Sequence, residues 1–129
     1  SLHNLAESIL DAENHHQREE KVLFVEMEKR EITGPTRIMR MEHDDLRARK
    51  KELKRLSKNA DKMKFDEFKI RVDETSKYII FNLRDHIFKE NYILYPSSLE
   101  AIKEKDIWDD MKKRCDEIGY CSFTFENLK

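Results

Sequence analysis

Helix breakers are scarce in this sequence: its 129 residues contain only two Gly and two Pro. That excludes a fold built from many short strands and tight turns and leaves long helices as the main element. Cysteine is almost as rare. Cys115 and Cys121 are separated by five residues, which fits neither a zinc knuckle nor a Cys-x-x-Cys redox pair, and both read as ordinary thiols. Neither sign of charge is in excess, since 26 basic residues nearly cancel 27 acidic ones, and no long run of one sign occurs. Nucleic acid and anionic membrane are therefore not expected as partners. No apolar run approaches the ~20 residues of a membrane span, and Ser1-Leu2-His3-Asn4 does not begin a signal peptide. A soluble, cytoplasmic protein is expected. A glycine-rich phosphate loop, a Gly-x-Ser-x-Gly elbow and a dinucleotide fingerprint are all missing.

What is present is charge and apolar periodicity, 41% and 38% of the residues respectively. One domain over residues 1–129 is expected, large enough for a real core. The chain opens at Ser1 directly in helical periodicity, so it reads as a piece of a longer protein. Leu2, Leu5, Ile9, Ala12, Leu23 and Met27 mark an amphipathic helix to about Arg30. Thr33-Gly34-Pro35-Thr36 ends it, with Gly34 able to take a left-handed cap, and starts the next helix. That helix, to Lys58, carries Ile38, Met39, Leu46, Leu53 and Leu56 as its core stripe. After a turn at Asn59–Lys62, Phe65, Phe68, Val72, Thr75, Ile79, Leu83, His86, Glu90 and Leu94 trace a third long helix, which Pro96 is expected to end. Ser97–Glu100 reads as a cap and short turn. A short last helix spans Asp106 to about Glu117 with Gly119 as its cap, and Phe123 and Phe125 alternate in the tail.

The segment His15-His16-Gln17-Arg18-Glu19-Glu20-Lys21-Val22-Leu23-Phe24 returns as His86-Ile87-Phe88-Lys89-Glu90-Asn91-Tyr92-Ile93-Leu94-Tyr95. The two copies match His15 with His86, Arg18 with Lys89, Glu19 with Glu90, and Val22-Leu23-Phe24 with Ile93-Leu94-Tyr95. Each sets an imidazole and a carboxylate four residues apart, on one helix face about one turn apart. His43, four residues after Met39 and three before Leu46, points inward on the second helix. A single histidine on an apolar stripe is more often a hydrogen-bonded core residue than a ligand. Three on three helices, two of them with a carboxylate at the next turn, point to a metal, because bare buried carboxylates would cost several kcal/mol apiece. His15, Glu19, Glu20, His43, His86 and Glu90 are the candidate ligands. The alternation His15/His16 with Glu19/Glu20 leaves open which carboxylate bridges, although the repeat favours Glu19. Imidazole and carboxylate without thiolate suit iron, manganese or zinc, and several of each suggest two ions. The paired Glu-x-x-His of ferritin-like enzymes is not the pattern here: Glu13-Asn14-His15-His16 supplies one such spacing and there is no second.

These residues, with Glu42-His43 on the second helix and Ile93-Leu94-Tyr95-Pro96 after the third-helix site, resemble the hemerythrin-like (HHE) cation-binding family over nearly the whole chain. Glu31-Ile32-Thr33-Gly34-Pro35, Met39-Arg40-Met41-Glu42-His43-Asp44, Lys89-Glu90-Asn91, Trp108 and Ile118-Gly119-Tyr120-Cys121 are similar to a subgroup often followed by a PAS sensory domain. The resemblance implies an all-α, up-and-down four-helix bundle holding two non-haem iron ions, oxo- or hydroxo-bridged, with zinc or manganese as substitutes. It implies His15, His43 and His86 as terminal ligands and Glu90 with Glu19 or Glu20 as bridges, walled by Leu23, Phe24, Met39 and Leu94. Two departures stand out. The family's first helix is expected to be absent, leaving three long helices, a short C-terminal helix and one open wall that would favour homo-oligomers. Arg47 stands where oxygen carriers of this fold have a second histidine. The implied function is binding or sensing of O2, NO, redox state or iron, relayed to a PAS or other signalling domain, rather than catalysis. Two alternatives are a di-iron oxidase or peroxidase and a metal-free helical interaction module.

Overall fold

The computed structural model describes residues 12–119, and every element among them is helical. The expected start of the first helix, at residues 2–11, and the tail from Tyr120 lie outside the described residues. Helix α1 covers 12–28 and contains one turn of π-helix, Glu19–Leu23, before the α-helical Phe24–Glu28. Helix α2 is Gly34–Lys58, with Pro35 in its first turn, where a missing N–H costs nothing. A short 3₁₀ turn, Ala60–Lys62, leads to α3, which begins as Phe65–Lys89. It passes through a second π turn, Glu90–Leu94, and continues as Tyr95–Ala101. Helix α4 is Lys105–Ile118, capped by Gly119 at φ 96.

Cross-helix pairs give the directions. Arg40 reaches Glu28 and Arg47 reaches Glu20, so α2 runs antiparallel to α1. Arg71 with Glu52 and Lys89 with Glu42 place α3 antiparallel to α2. Arg18 donates to the Gly119 carbonyl and Arg114 to Glu26, which sets α4 antiparallel to α1. The result is an up-and-down bundle in which α4 takes the side of α1 that three helices alone would leave open. Val22, Phe24, Met27, Met39, Leu94, Ile102 and Met111 form the larger apolar core, with Leu53 and Ile79 as a second, smaller one. Along α2 and α3, His43 and His86 lie between the two, so a polar layer is sealed above and below by apolar side chains. Among the described residues no helix is long and apolar enough to cross a membrane.

Three sequence expectations are corrected. Pro96 does not end α3. The π turn before it restarts the α-helical hydrogen-bond ladder, and Pro96 falls in the first turn of the new segment, where its ring is tolerated. The left-handed residue between α1 and α2 is Glu31, at φ 65, not Gly34. Ile32 N–H donates to Met27 O at 3.1 Å and closes a Schellman-type end around it. Ile38 and Phe65, assigned to the core by periodicity, are 45% and 75% exposed.

Because a side chain in the left-handed region costs about 1–2 kcal/mol, Glu31→Gly is expected to stabilise the fold by about 0.5–1 kcal/mol after the entropy gained by the unfolded chain is subtracted. Urea unfolding midpoints of the two proteins check this; an unchanged or lower midpoint would refute it.

Candidate metal centre

Both π turns begin on a carboxylate of the repeat, Glu19 in α1 and Glu90 in α3. The sequence repeat is therefore also a repeat of backbone geometry. A π turn widens the helix by one residue, and such turns favour functional sites because they re-aim side chains that an α-turn would fix. Here they bring two donor groups together. His16, His43 and His86 form one, entirely buried; His15, Glu19 and Glu90 form the other, and within each group the ligand atoms lie within 4.8 Å of one another.

The groups adjoin. His43 Nε2 and His86 Nε2 face each other at 3.0 Å, and the His16 ring stacks on His43 with centroids 4.1 Å apart. His15 Nε2 lies 2.7 Å from Glu19 Oε1 and 3.0 Å from Glu90 Oε2. Glu90 Oε1 is 3.4 Å from His86 Nε2, and Glu19 Oε1 is 3.9 Å from His43 Nε2. Each carboxylate thus faces histidines of both groups. Tyr95 O–H donates to Glu90 Oε2. The apolar wall stands as the sequence implied it: Phe24, Met39 and Leu94 are buried, and Leu23 packs against them.

Glu20, kept open as a ligand by its spacing, is placed elsewhere. It accepts from Arg47 NH1 at 3.0 Å and NH2 at 2.5 Å, and its Oε2 lies 3.6 Å from His43 Nδ1. Glu42 does the same one helix over: Lys89 Nζ holds it at 2.9 Å, and its Oε2 lies 3.7 Å from His86 Nδ1. Each of these two histidines therefore turns Nε2 to the centre and Nδ1 towards a carboxylate pinned by a cation, the arrangement that orients metal-ligating imidazoles. His16, Glu42, Arg47 and Tyr95 are the members that sequence reasoning did not place. For His16 the signal was the His15-His16 doublet itself.

Burial and charge dictate the protonation states of the metal-free protein. Burial pushes His16 down to about 2 and His43 to about 3, and also lowers His86. Burial alone would lower His15 too, but its contacts with Glu19 and Glu90 outweigh that and raise it to about 10. Burial raises Glu19 to about 7. Glu90, despite burial, is held below the ordinary carboxylate range by His15 and Tyr95. Three imidazoles are thus neutral and ready to ligate, while a proton on His15 sits where a cation would compensate both carboxylates.

A metal ion fits these residues. Glu19 Oε2 and His16 Nδ1 are buried without a hydrogen-bond partner, a costly condition in a buried polar cluster. The donors are all nitrogen and carboxylate oxygen, a set suited to first-row divalent or trivalent ions. A family model described as hemerythrin HHE cation binding domain matches residues 1–97. The chain belongs to the hemerythrin HHE family. No curated protein and no solved structure matches it. As a hemerythrin HHE domain it is a cation-binding helical bundle, and the donor groups on α1, α2 and α3 all fall within the matched segment.

The same protonation states set an acid limit for the metal-free hemerythrin HHE domain. An unfolded chain protonates His16, His43 and His86 near their ordinary value of 6.5, whereas the folded chain resists. Stability should therefore fall as pH drops below about 6.5. Glu19 opposes this, because the folded chain accepts its proton near 7 and the unfolded chain only near 4.5. Three groups outweigh one. The contribution of His15 is fully present below 6.5 and is lost as pH rises towards 10. Urea midpoints of metal-free protein at about pH 5, 7 and 9 should peak at 7; a maximum at pH 5 would contradict the assignment.

Proposed function

We propose that the domain holds two iron ions and serves as a sensor of O2, NO or redox state. The observation that carries the reading is the position of Glu19 and Glu90, each facing a histidine of both donor groups. His16, His43 and His86 would hold one ion and His15 the other, with the two carboxylates shared. Iron in such a setting supplies one-electron redox change and reversible ligation of a small diatomic molecule. Around it the chain's own residues act as follows. Phe24, Met39 and Leu94 exclude water from the His43 and His86 side of the polar layer. Arg47 with Glu20 and Lys89 with Glu42 orient His43 and His86. Tyr95 holds Glu90 by its hydroxyl and keeps a proton at that oxygen.

The path outward supports sensing. Trp108, Met111 and Cys115 of α4 line, with His15, Glu19 and Tyr95, a cavity of about 280 Å³. A change at His15 or Glu19 would therefore be felt first by α4, the helix that leads towards the C-terminus. The PAS-linked subgroup that the sequence resembles would supply a partner domain on that side. A second reading rests on Tyr95: a phenol in contact with a ligand carboxylate is also what a di-iron oxidase or peroxidase would use to deliver a proton.

The deciding experiment is elemental analysis with the visible spectrum, in air and after reduction, followed by incubation with reductant and O2 or peroxide. About two irons per chain, a spectrum that changes with the gas, and no multiple turnover support the sensor. Sustained turnover would move the assignment to the enzyme, and the absence of bound iron after anaerobic loading would overturn both.

A further inference from the structure

The outer face of α3 carries a row of aromatic side chains with nothing over it among the described residues. Phe81, Phe88 and Tyr92 are 72%, 56% and 70% exposed, and their spacing of seven and four residues puts them on one helix face. Phe88 and Tyr92 contact each other, with ring centroids 4.5 Å apart. Ile80 and Ile87, also exposed, flank the row. A monomer seldom leaves so many large apolar groups contiguous in water.

We infer that this face is the interface of a symmetric homodimer in which α3 packs antiparallel against α3 of a second copy. The argument is the order of residues along the stripe. Positions 77, 81, 84, 85, 88 and 92 are symmetric about the point between Arg84 and Asp85. A two-fold axis through that point opposes Phe81 with Phe88 of the second copy, and Phe88 with its Phe81. It also sets Arg84 against Asp85, twice, and lays Lys77 over the Tyr92 ring. A two-fold interface requires such self-complementarity, each contact occurring twice.

The charges select this orientation over the others. Arg84 is exposed and has no acidic partner among the described residues, while Asp85, itself exposed, is paired with Lys89, which Glu42 also holds. The antiparallel pair supplies Arg84 with a carboxylate on both sides of the axis. A parallel pair would set Arg84 against Arg84. An unrelated apolar partner would leave the central charges unmatched. The apolar stripe supplies more than half of the area such an interface needs. Three aromatic side chains of about 150–250 Å² each, at this exposure and with two isoleucines, contribute on the order of 500 Å² per copy before the polar rim is added. A stable interface needs about 800 Å² per partner. The metal centre is on the opposite side of α3, where His86 and Glu90 are buried, so the dimer would leave it intact.

Sedimentation equilibrium of the full 129-residue protein tests the inference. The expected mass is twice the 15.7 kDa of one chain. Phe88→Glu should give a monomer with unchanged helical circular dichroism. The charge exchange fixes the register and guards against a misfolded Phe88 variant. Arg84→Asp alone should weaken the dimer about tenfold or more, and Arg84→Asp with Asp85→Arg should restore it. A monomeric wild type at micromolar concentrations, including one whose own terminal segments cover the face, would overturn the proposal. So would a dimer indifferent to Arg84→Asp, or one that the double exchange fails to rescue.

Discussion

His86→Ala is expected to abolish stoichiometric metal while leaving the helices in place. His86 contributes Nε2 to the buried histidine group and lies 3.4 Å from Glu90 Oε1, so its loss opens one group and removes the neighbour of a shared carboxylate. A conserved outer partner of a metal ligand is worth about 10–100-fold in affinity, and a direct ligand should exceed that. The comparison is internal: Glu42→Gln, which meets the centre through His86 Nδ1 and is itself held by Lys89, should weaken binding by about 10–100-fold without emptying the centre. Because burial keeps His86 neutral, the alanine variant sheds no buried charge and its metal-free fold should survive. Metal content by elemental analysis and helicity by circular dichroism separate the two effects. Full metal retention in His86→Ala would remove this residue from the ligand set.

Phe24→Ala should act on the fold itself. Phe24 is completely buried at the end of the first π turn, stacks on the His43 ring with centroids 5.8 Å apart, and carries the Arg40 guanidinium 5.2 Å above its face. Truncating such a ring costs about 3–5 kcal/mol through lost transfer energy and the cavity left behind. For a domain this size that corresponds to a melting temperature lower by roughly 10–20 °C. Metal affinity should fall as well, because the water admitted beside His43 competes for the donors. A thermal melt showing a loss under about 1 kcal/mol would mean that the ring is not the support the packing indicates.

Much of the bundle was legible because helix limits are local. Pro35, Asn59 and Gly119 act through their own backbone, and the helices end or begin where those residues demand. The 71-residue offset from His15 to His86 exposed four of the site residues, since it repeated chemistry as well as hydrophobicity. His16 was harder. Two adjacent histidines on an ordinary helix point about 100° apart, and here each faces its own donor group, His16 with His43 and His86 and His15 with Glu19 and Glu90, so one inward stripe could not place both. Glu20 was kept as a ligand candidate for the same reason. Its true neighbour, Arg47, comes from another helix, and nothing local records that meeting. Ile38 and Phe65 misled because periodicity counts apolar residues without knowing which helix faces are covered. The closure of α1 by α4 depends on Arg18, Glu26 and Arg114, three residues scattered across the chain.

The two π turns also fix a phase. In an unbroken α-helix, steps of four residues drift about 40° each, so a row of four would wander off its face. Yet His86, Glu90, Leu94 and Ser98 are all buried, because the widened turn at Glu90–Leu94 absorbs the drift. One face of α3 can therefore carry a ligand, a shared carboxylate and then the apolar lid above them. What this segment encodes is chiefly a residue count. Losing or gaining one residue between Glu90 and Leu94 would swing everything after it by about 100°, taking Leu94 off the centre and moving Pro96 into a position its ring does not tolerate.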